Sequence, residues 1–274
     1  MAGRKFSSPE SIKAQTYIIT AMANSGVAPF QREYRHSFTC NSFFSQKQGN
    51  NIIGYVEGTS VPEQFIVLTA HYDHLGTKTG KVHNGADDNA SGVAALLTFG
   101  EIVAAKPLKY SIIFLFTDGE ESNLLGSKAF IKQQKQILSK IRLNINIDMI
   151  AGSKRTSTLH YIDKRLENVL SVAKFNEYKS LATSPKVKVK RGFRRGRFTY
   201  KNNINWTSSS DHGAFNQEKI PFVYFGVGVH RNYHTSNDDF DHVNLPFFIQ
   251  ACQQIFKYLL FFDENIIPVE IKPD

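Results

Sequence analysis

Residues 110–116 read YSIIFLF, a near-continuous apolar run that is the length of a strand. Alternate side chains of a strand point to opposite sides of its sheet, so a run apolar in both sets asks for burial on both faces. Residues 51–56, 64–70, 142–147 and 221–225 also read as strands, and helical patterns occupy residues 90–105 and 123–138. Strand, loop and helix in alternation predict a largely parallel sheet covered on both faces, an α/β three-layer α/β/α sandwich. The 274 residues can bury a core of that size, and no internal repeat interrupts them, so residues 1–274 are expected to form a single domain.

The two ends are expected to be helical packing elements. Ser8 followed by Pro9 marks a helix start, Ile12, Tyr17, Ile18 and Ala21 supply apolar spacing, and Gly26 closes the segment. Residues 1–50 thus read as a peripheral helix and lead-in. Asn244 and Pro246 open a closing helix with Phe248, Cys252, Ile255, Phe256, Leu259 and Phe262 on one apolar face. Cys40 and Cys252 are the only cysteines, too few for a disulfide framework or a cysteine zinc site, and are expected to be free thiols. No apolar stretch nears the roughly 20 residues that cross a bilayer, so no membrane span is expected. Residues 1–6 have no apolar run of signal-peptide length behind them.

Lys and Arg number 33 against 24 Asp and Glu, a net charge of +9 that alone would suggest polyanionic partners. Much of the excess lies in Lys186, Lys188, Lys190, Arg191, Arg194, Arg195, Arg197 and Lys201. Residues 183–208 therefore read as a solvated basic loop, with an anion contact as the alternative; nucleic-acid binding ranks last among active roles.

Ligand sites of open α/β sheets form beyond the carboxyl ends of the strands, and in this sequence those ends collect one kind of chemistry. His71 and Asp73 follow the second strand in HYDHLG, and Asp87 and Asp88 sit in GADDNASG. Glu120 and Glu121 follow the third strand in DGEES, Asp148 follows the fourth in NIDM, and His234 lies beyond the last in YHTSND. Carboxylates gathered without a counter-ion would repel one another. Two divalent cations about 3.5–4 Å apart, bridged by one carboxylate, resolve the conflict. Each element also has a plainer reading. His71 could be a loop histidine bonded to Asp73, and residues 85–92 a turn with a helix cap at Asp88, Asn89 or Ser91. Glu120 and Glu121 could be acids favoured near a helix N-terminus, Asp148 a turn cap and His234 a polar loop residue. The ordered set along one sheet edge is what carries the metal reading.

In this order, HYDHLG, GADDNASG, DGEES followed by LLGS, NIDM and YHTSND resemble the two-zinc aminopeptidases of metallopeptidase family 28. That group also contains glutamate carboxypeptidases and glutaminyl cyclases. The resemblance runs from about residue 52 to residue 242. It implies a mixed sheet between helices and two zinc ions, with cobalt or manganese as possible substitutes. His71, Asp88 and Asp148 would hold one ion, and Asp88, Glu121 and His234 the other. It further implies a cis peptide after the bridging Asp88, Glu120 as general base, and Asp73 orienting the His71 imidazole. Asp238 stands as a supporting residue. Because Asp239 and Phe240 follow it where the family often has DT, what supports His234 is left open. Ser210, Asp211 and His212 resemble a further family motif and read as structural support.

The activity so implied is hydrolysis of the first peptide bond of peptides with a free N-terminus, in an enzyme that family habit makes secreted or periplasmic. A glutaminyl-cyclase-like acyl transferase, a carboxypeptidase using the Arg-rich segment, and a non-enzymatic binding domain are the rivals. Phe193, Phe198, Tyr200, Trp206, Phe225 and Tyr233 are candidate pocket walls, with ordinary packing the alternative for each.

Overall fold

The computed structural model describes residues 2–42, 45–181, 187–193 and 204–270. Among them, nine strands form one sheet: β1 (Ala28–Pro29), β2 (Arg35–Ser42), β3 (Ser45–Val56), β4 (Val61–His71), β5 (Tyr110–Thr117), β6 (Ile141–Ile147), β7 (Thr158–Lys164), β8 (Lys188–Arg191) and β9 (Phe222–Gly226). Their order is β1-β3-β5-β4-β6-β9-β7-β8, with β2 paired to β3. The middle strands β5, β4, β6 and β9 are mutually parallel. The sheet turns antiparallel where β3 meets β5 and where β7 meets β9, so it is mixed. A separate hairpin pairs Gly76–Lys78 with Lys81–His83.

Burial on both faces follows the period of two. Ile112, Phe114 and Phe116 of β5 and Ile66, Leu68 and Ala70 of β4 enter one core, while Ile113, Leu115, Phe65 and Val67 enter the other. The first core lies under α1 (Pro9–Asn24), α2 (Gly92–Ala105) and α6 (Leu245–Asn265), and the second under α3 (Leu125–Gln133) and α5 (His212–Gln217). A further helix, α4 (Val172–Ser180), packs Tyr178 into the first. Asp263 in α6 accepts bonds from the amides of Lys109 and Tyr110 at 3.0 and 2.9 Å, which fixes the start of β5.

The structure redraws several local expectations. Residues 123–138 do not make one helix: Asn123 and Leu124 adopt left-handed φ values of 75° and 60°, so α3 starts at Leu125. It stops before Gln134, whose side chain exchanges amide hydrogen bonds with Gln31, and a 3₁₀ turn follows over Lys135–Lys140. In α1 the buried stripe is Ala14, Ile18 and Met22, whereas Ile12 and Tyr17 face solvent. In the lead-in, Arg4 is buried. The basic segment is not wholly loop. Lys188–Arg191 is strand β8, with Val189 buried and Arg191 bonded through Nε and Nη2 to Asp163 at 2.8 and 3.0 Å. Lys186, Arg194, Arg195, Arg197, Phe198, Tyr200 and Lys201 lie outside the described residues. Cys40 and Cys252 are free, and no helix among the described residues is long and apolar enough to cross a membrane.

Candidate metal centre

Because β5, β4, β6 and β9 run parallel, their carboxyl ends share one edge of the sheet, and the acidic motifs meet there. His71 closes β4; its Nε2 lies 3.3 Å from Asp88 Oδ1 and 3.3 Å from Asp148 Oδ1, which follows β6. His234, from the loop beyond β9, places Nε2 3.2 Å from Asp88 Oδ2 and 3.2 Å from Glu121 Oε2. The two oxygens of Asp88 therefore face two different histidines. A third, His74, brings Nδ1 within 2.9 Å of Glu121 Oε1 and 3.7 Å of Asp88 Oδ2. Two sets have metal-ligand spacing among the described residues: His71, Asp88 and Asp148, and His74, Asp88 and Glu121. His234 borders the second set through its two 3.2 Å contacts.

GADDNASG owes its shape to side chains that bond to neighbouring backbone. Asn89 donates to Ile147 O at 2.9 Å and accepts from Met149 N at 3.1 Å, Ser91 Oγ accepts from Ile150 N at 3.0 Å, and Asp87 Oδ1 accepts from Ala151 N at 2.7 Å. One loop so clamps the segment that carries Asp148. Asp238 holds the loop from the other side, accepting from the amides of Asp87 and Asp88 at 2.8 and 3.0 Å; its carboxylate supports the loop's backbone. The peptide between Asp88 and Asn89 is cis. Gly92 has to be glycine on space, since a Cβ there would lie 2.5 Å from Ile147 O.

The His71 Nδ1–H donates to the carbonyl of Asp73 at 3.1 Å, which leaves the Nε2 lone pair facing Asp88 and Asp148. The Asp73 carboxylate stands 3.7 Å from the same Nδ1 and also accepts from the amide of Glu120 at 3.0 Å. Ser210 and Asp211 lie behind the site, where Asn146 donates to Ser210 Oγ at 2.9 Å and Thr117 Oγ1 to Asp211 at 2.5 Å. His234 and Met149 hold left-handed φ values of 58° and 60°, a conformation that costs on the order of 1–2 kcal/mol per residue.

Charge explains what this arrangement requires. Burial would raise the Asp88 carboxyl, yet the close His234 and His71 rings and the charge of His74 hold it well below the usual carboxylate range. Glu121, likewise opposed by burial, is held down at about 2 by His234 and His74. Glu120 goes the other way: burial raises it well above the ordinary value, against His71, with Asp148, Asp211 and Glu121 adding to the rise. Asp88 and Glu121 are thus held ionised by positive charge, whereas burial raises Asp148. Asp88 Oδ2, Glu121 Oε1, His234 Nε2 and His74 Nδ1 are buried atoms that make no hydrogen bond. Converging nitrogen and carboxylate donors of this kind fit zinc.

A cavity of about 190 Å³ opens over the cluster, lined by Glu120 and by Met149, Ile204, Trp206, Tyr224, Val229 and Tyr233. Trp206 and Tyr233 are thus walls. Phe225 is not: alternation along β9 turns it into the core against Tyr161 and Tyr258 and presents Tyr224 instead. Phe193 stacks behind Trp206, ring centroids 4.1 Å apart.

Sequence reasoning missed Arg4, His74, Tyr224 and His230. Arg4 donates to the carbonyls of Tyr72, Asn84 and Gly85 at 2.7, 2.5 and 3.0 Å, and His230 Nε2 donates to Asp87 at 2.9 Å. For His74 a signal existed, a second histidine within HYDHLG. Arg4 had none.

The architecture and site define a class, an α/β sandwich with histidine and carboxylate donors at the carboxyl edge of its parallel strands. Residues 51–259 match Peptidase family M28, and the chain belongs to that family. Aminopeptidase YwaD of Bacillus subtilis (strain 168) is 27% identical over 211 residues, which are 73% of this chain and 42% of that protein. The chain thus spans less than half the length of that relative. Among solved structures, a Fimbriiglobus ruber glutaminyl cyclase superposes with a TM-score of 0.73 at 16% identity, over 95% of this chain and 90% of that one. A leucine aminopeptidase precursor from Bacteroides thetaiotaomicron VPI-5482 gives 0.70 at 20% identity, over 94% and 91%. Both share the fold.

Proposed function

We propose that this protein is a zinc-dependent aminopeptidase that removes the first residue of peptides with a free amino terminus. The observation that carries the reading is Asp88, whose two oxygens face two separate histidine and carboxylate groups, as a carboxylate bridging two cations would. His71 and Asp148 complete one set, and Glu121 and His234 the other. Bound there, two zinc ions would supply Lewis acidity and lower the pKa of water so that it attacks at neutral pH.

Glu120 is the general base of this reading. It lines the cavity and lies outside both donor sets. Its raised pKa suits a group that takes a proton from water and returns it to the departing amine. Glu121, one residue later, faces His74 and His234, so the neighbours have separate tasks. The carboxylates around Asp88 attract a substrate ammonium group, which favours a free amino terminus. Trp206, Tyr224 and Tyr233 wall a space that suits one side chain and keeps water from the reacting bond.

Mass spectrometry of a mixed peptide pool tests the reading, with free and acetylated amino termini compared and a chelated control. Stepwise shortening of the free termini alone, abolished by chelation, is expected. Trimming from carboxyl ends, cyclisation of amino-terminal glutamine without shortening, or no reaction by metal-loaded protein would overturn it.

A further inference from the structure

We infer that Phe193 is a positioning residue: its ring holds Trp206 and Tyr224 in place and so sets how strongly the cavity favours a large apolar first side chain over a small one. The inference rests on the reading above, in which this cavity receives the first residue of a peptide. Phe193 does not itself line the cavity, but Trp206 and Tyr224 both do. Its ring stacks on that of Trp206 with centroids 4.1 Å apart and planes 14° from parallel, and on that of Tyr224 at 5.2 Å and 22°. One side chain thus stands behind both aromatic walls.

The two walls depend on it unequally. Tyr224 is buried in β9 and also stacks on His212, with centroids 4.5 Å apart. Trp206 lies in a turn outside the strands and helices, and its carbonyl accepts from His212 Nε2 at 2.8 Å, a bond that fixes the backbone but not the indole. The stack on Phe193 orients the indole, and contacts of this kind carry weight beyond the area they bury. Phe193 is anchored in turn. Just after β8 the Gly192 amide donates to Tyr161 O at 2.7 Å, and Gly192 O accepts at 2.7 Å from His160 Nδ1, whose ring stacks on Phe193 at 5.4 Å. From the other side Gly228, at φ +74°, brings the loop after β9 close, where a Cβ would lie 3.2 Å from the Phe193 ring. Beyond the donor cluster and Glu120, the lining among the described residues carries no ionised side chain. Contact area is therefore what separates one first residue from another, and flat walls held still give a large apolar side chain more of it.

Trp206 is the only tryptophan in the chain, so its fluorescence reports this wall without turnover. The purified, zinc-loaded full chain is titrated with free L-leucine and with L-alanine, which share an amine and a carboxylate and differ only in the side chain. Tryptophan emission should show tighter binding of leucine by the wild type, a margin that shrinks about three- to tenfold in Phe193→Ala and returns in Phe193→Tyr. The ratio of kcat/KM for leucine over alanine amino termini should shrink by a like factor at unchanged metal content. No margin in the wild type, a folded Phe193→Ala that keeps the whole margin, or a Phe193→Tyr that behaves like Phe193→Ala overturns the role of Phe193. If Phe193→Ala fails to fold by circular dichroism, Phe193→Leu, which keeps apolar bulk without the flat ring, decides by the same margin. A zinc-loaded wild type that binds leucine beside Trp206 but trims no peptide overturns the aminopeptidase reading instead.

Discussion

The amide of Glu120 donates a hydrogen bond to Asp73 Oδ1 at 3.0 Å, linking residues 47 positions apart. It joins the loop after β5, which carries the proposed base, to the loop after β4, which follows the first histidine. The two strands are parallel neighbours, with His71 in register with Thr117, so their ends lie side by side and one carboxylate spans the gap.

Removing that carboxylate should loosen Glu120 without emptying the cluster. For Asp73→Ala we expect kcat to fall about 10–100-fold, with KM and metal content little changed. Asp73→Asn, which keeps an acceptor oxygen, should fall less. Steady-state kinetics paired with metal analysis checks this, and equal losses in the two variants would show that the bond to Glu120 is not what matters.

Asp238 receives the amides of Asp87 and Asp88 together, at 2.8 and 3.0 Å. Hydrogen bonds to a charged group contribute roughly 1.5–3 kcal/mol each, so Asp238→Ala should lower unfolding stability by a few kcal/mol and weaken metal retention as Asp88 loses its support. Denaturant unfolding of metal-free protein, set beside chelator competition, separates the two effects.

Acid should weaken the fold through His212. This imidazole is sealed between Phe222 and Tyr224, donates from Nε2 to Trp206 O at 2.8 Å and accepts at Nδ1 from Asn146 at 3.2 Å. Burial, against the bond to Trp206, depresses its pKa from 6.5 to about 4. The unfolded chain therefore takes up a proton at higher pH than the folded one. The contribution is whole above 6.5 and is lost as pH falls from 6.5 to about 4, to a total of about 3 kcal/mol. Unfolding free energies at several pH values should drop across this window in the wild type and drop less in His212→Gln; parallel curves would contradict the assignment.

What was legible in the sequence follows from where each signal is written. Ile112 to Phe116 announce a doubly buried strand because both faces of β5 meet apolar cover. Edge strands carry weaker patterns: β7 alternates half-buried and buried residues, and β8 hides one valine among Lys and Arg, so its charge reads as loop. The acidic motifs were visible as a set because HYDHLG, DGEES, NIDM and YHTSND each come at or beyond the end of a parallel strand. Arg4 could not be seen, since its partners are the carbonyls of Tyr72, Asn84 and Gly85, and a carbonyl leaves no trace in sequence. Phe225 and Tyr224 were exchanged for a similar reason: period two says that adjacent residues face opposite ways, and only the sheet's place in the molecule says which way is the pocket.

The most direct test of the account is to measure zinc content and peptide hydrolysis together in Glu120→Gln. Two zinc ions per chain are expected, as in the wild type, with turnover lower by about 10²–10⁴-fold, because the amide cannot take a proton while His71, Asp88, Glu121, Asp148 and His234 are untouched. Turnover near the wild-type rate with both ions bound would contradict it.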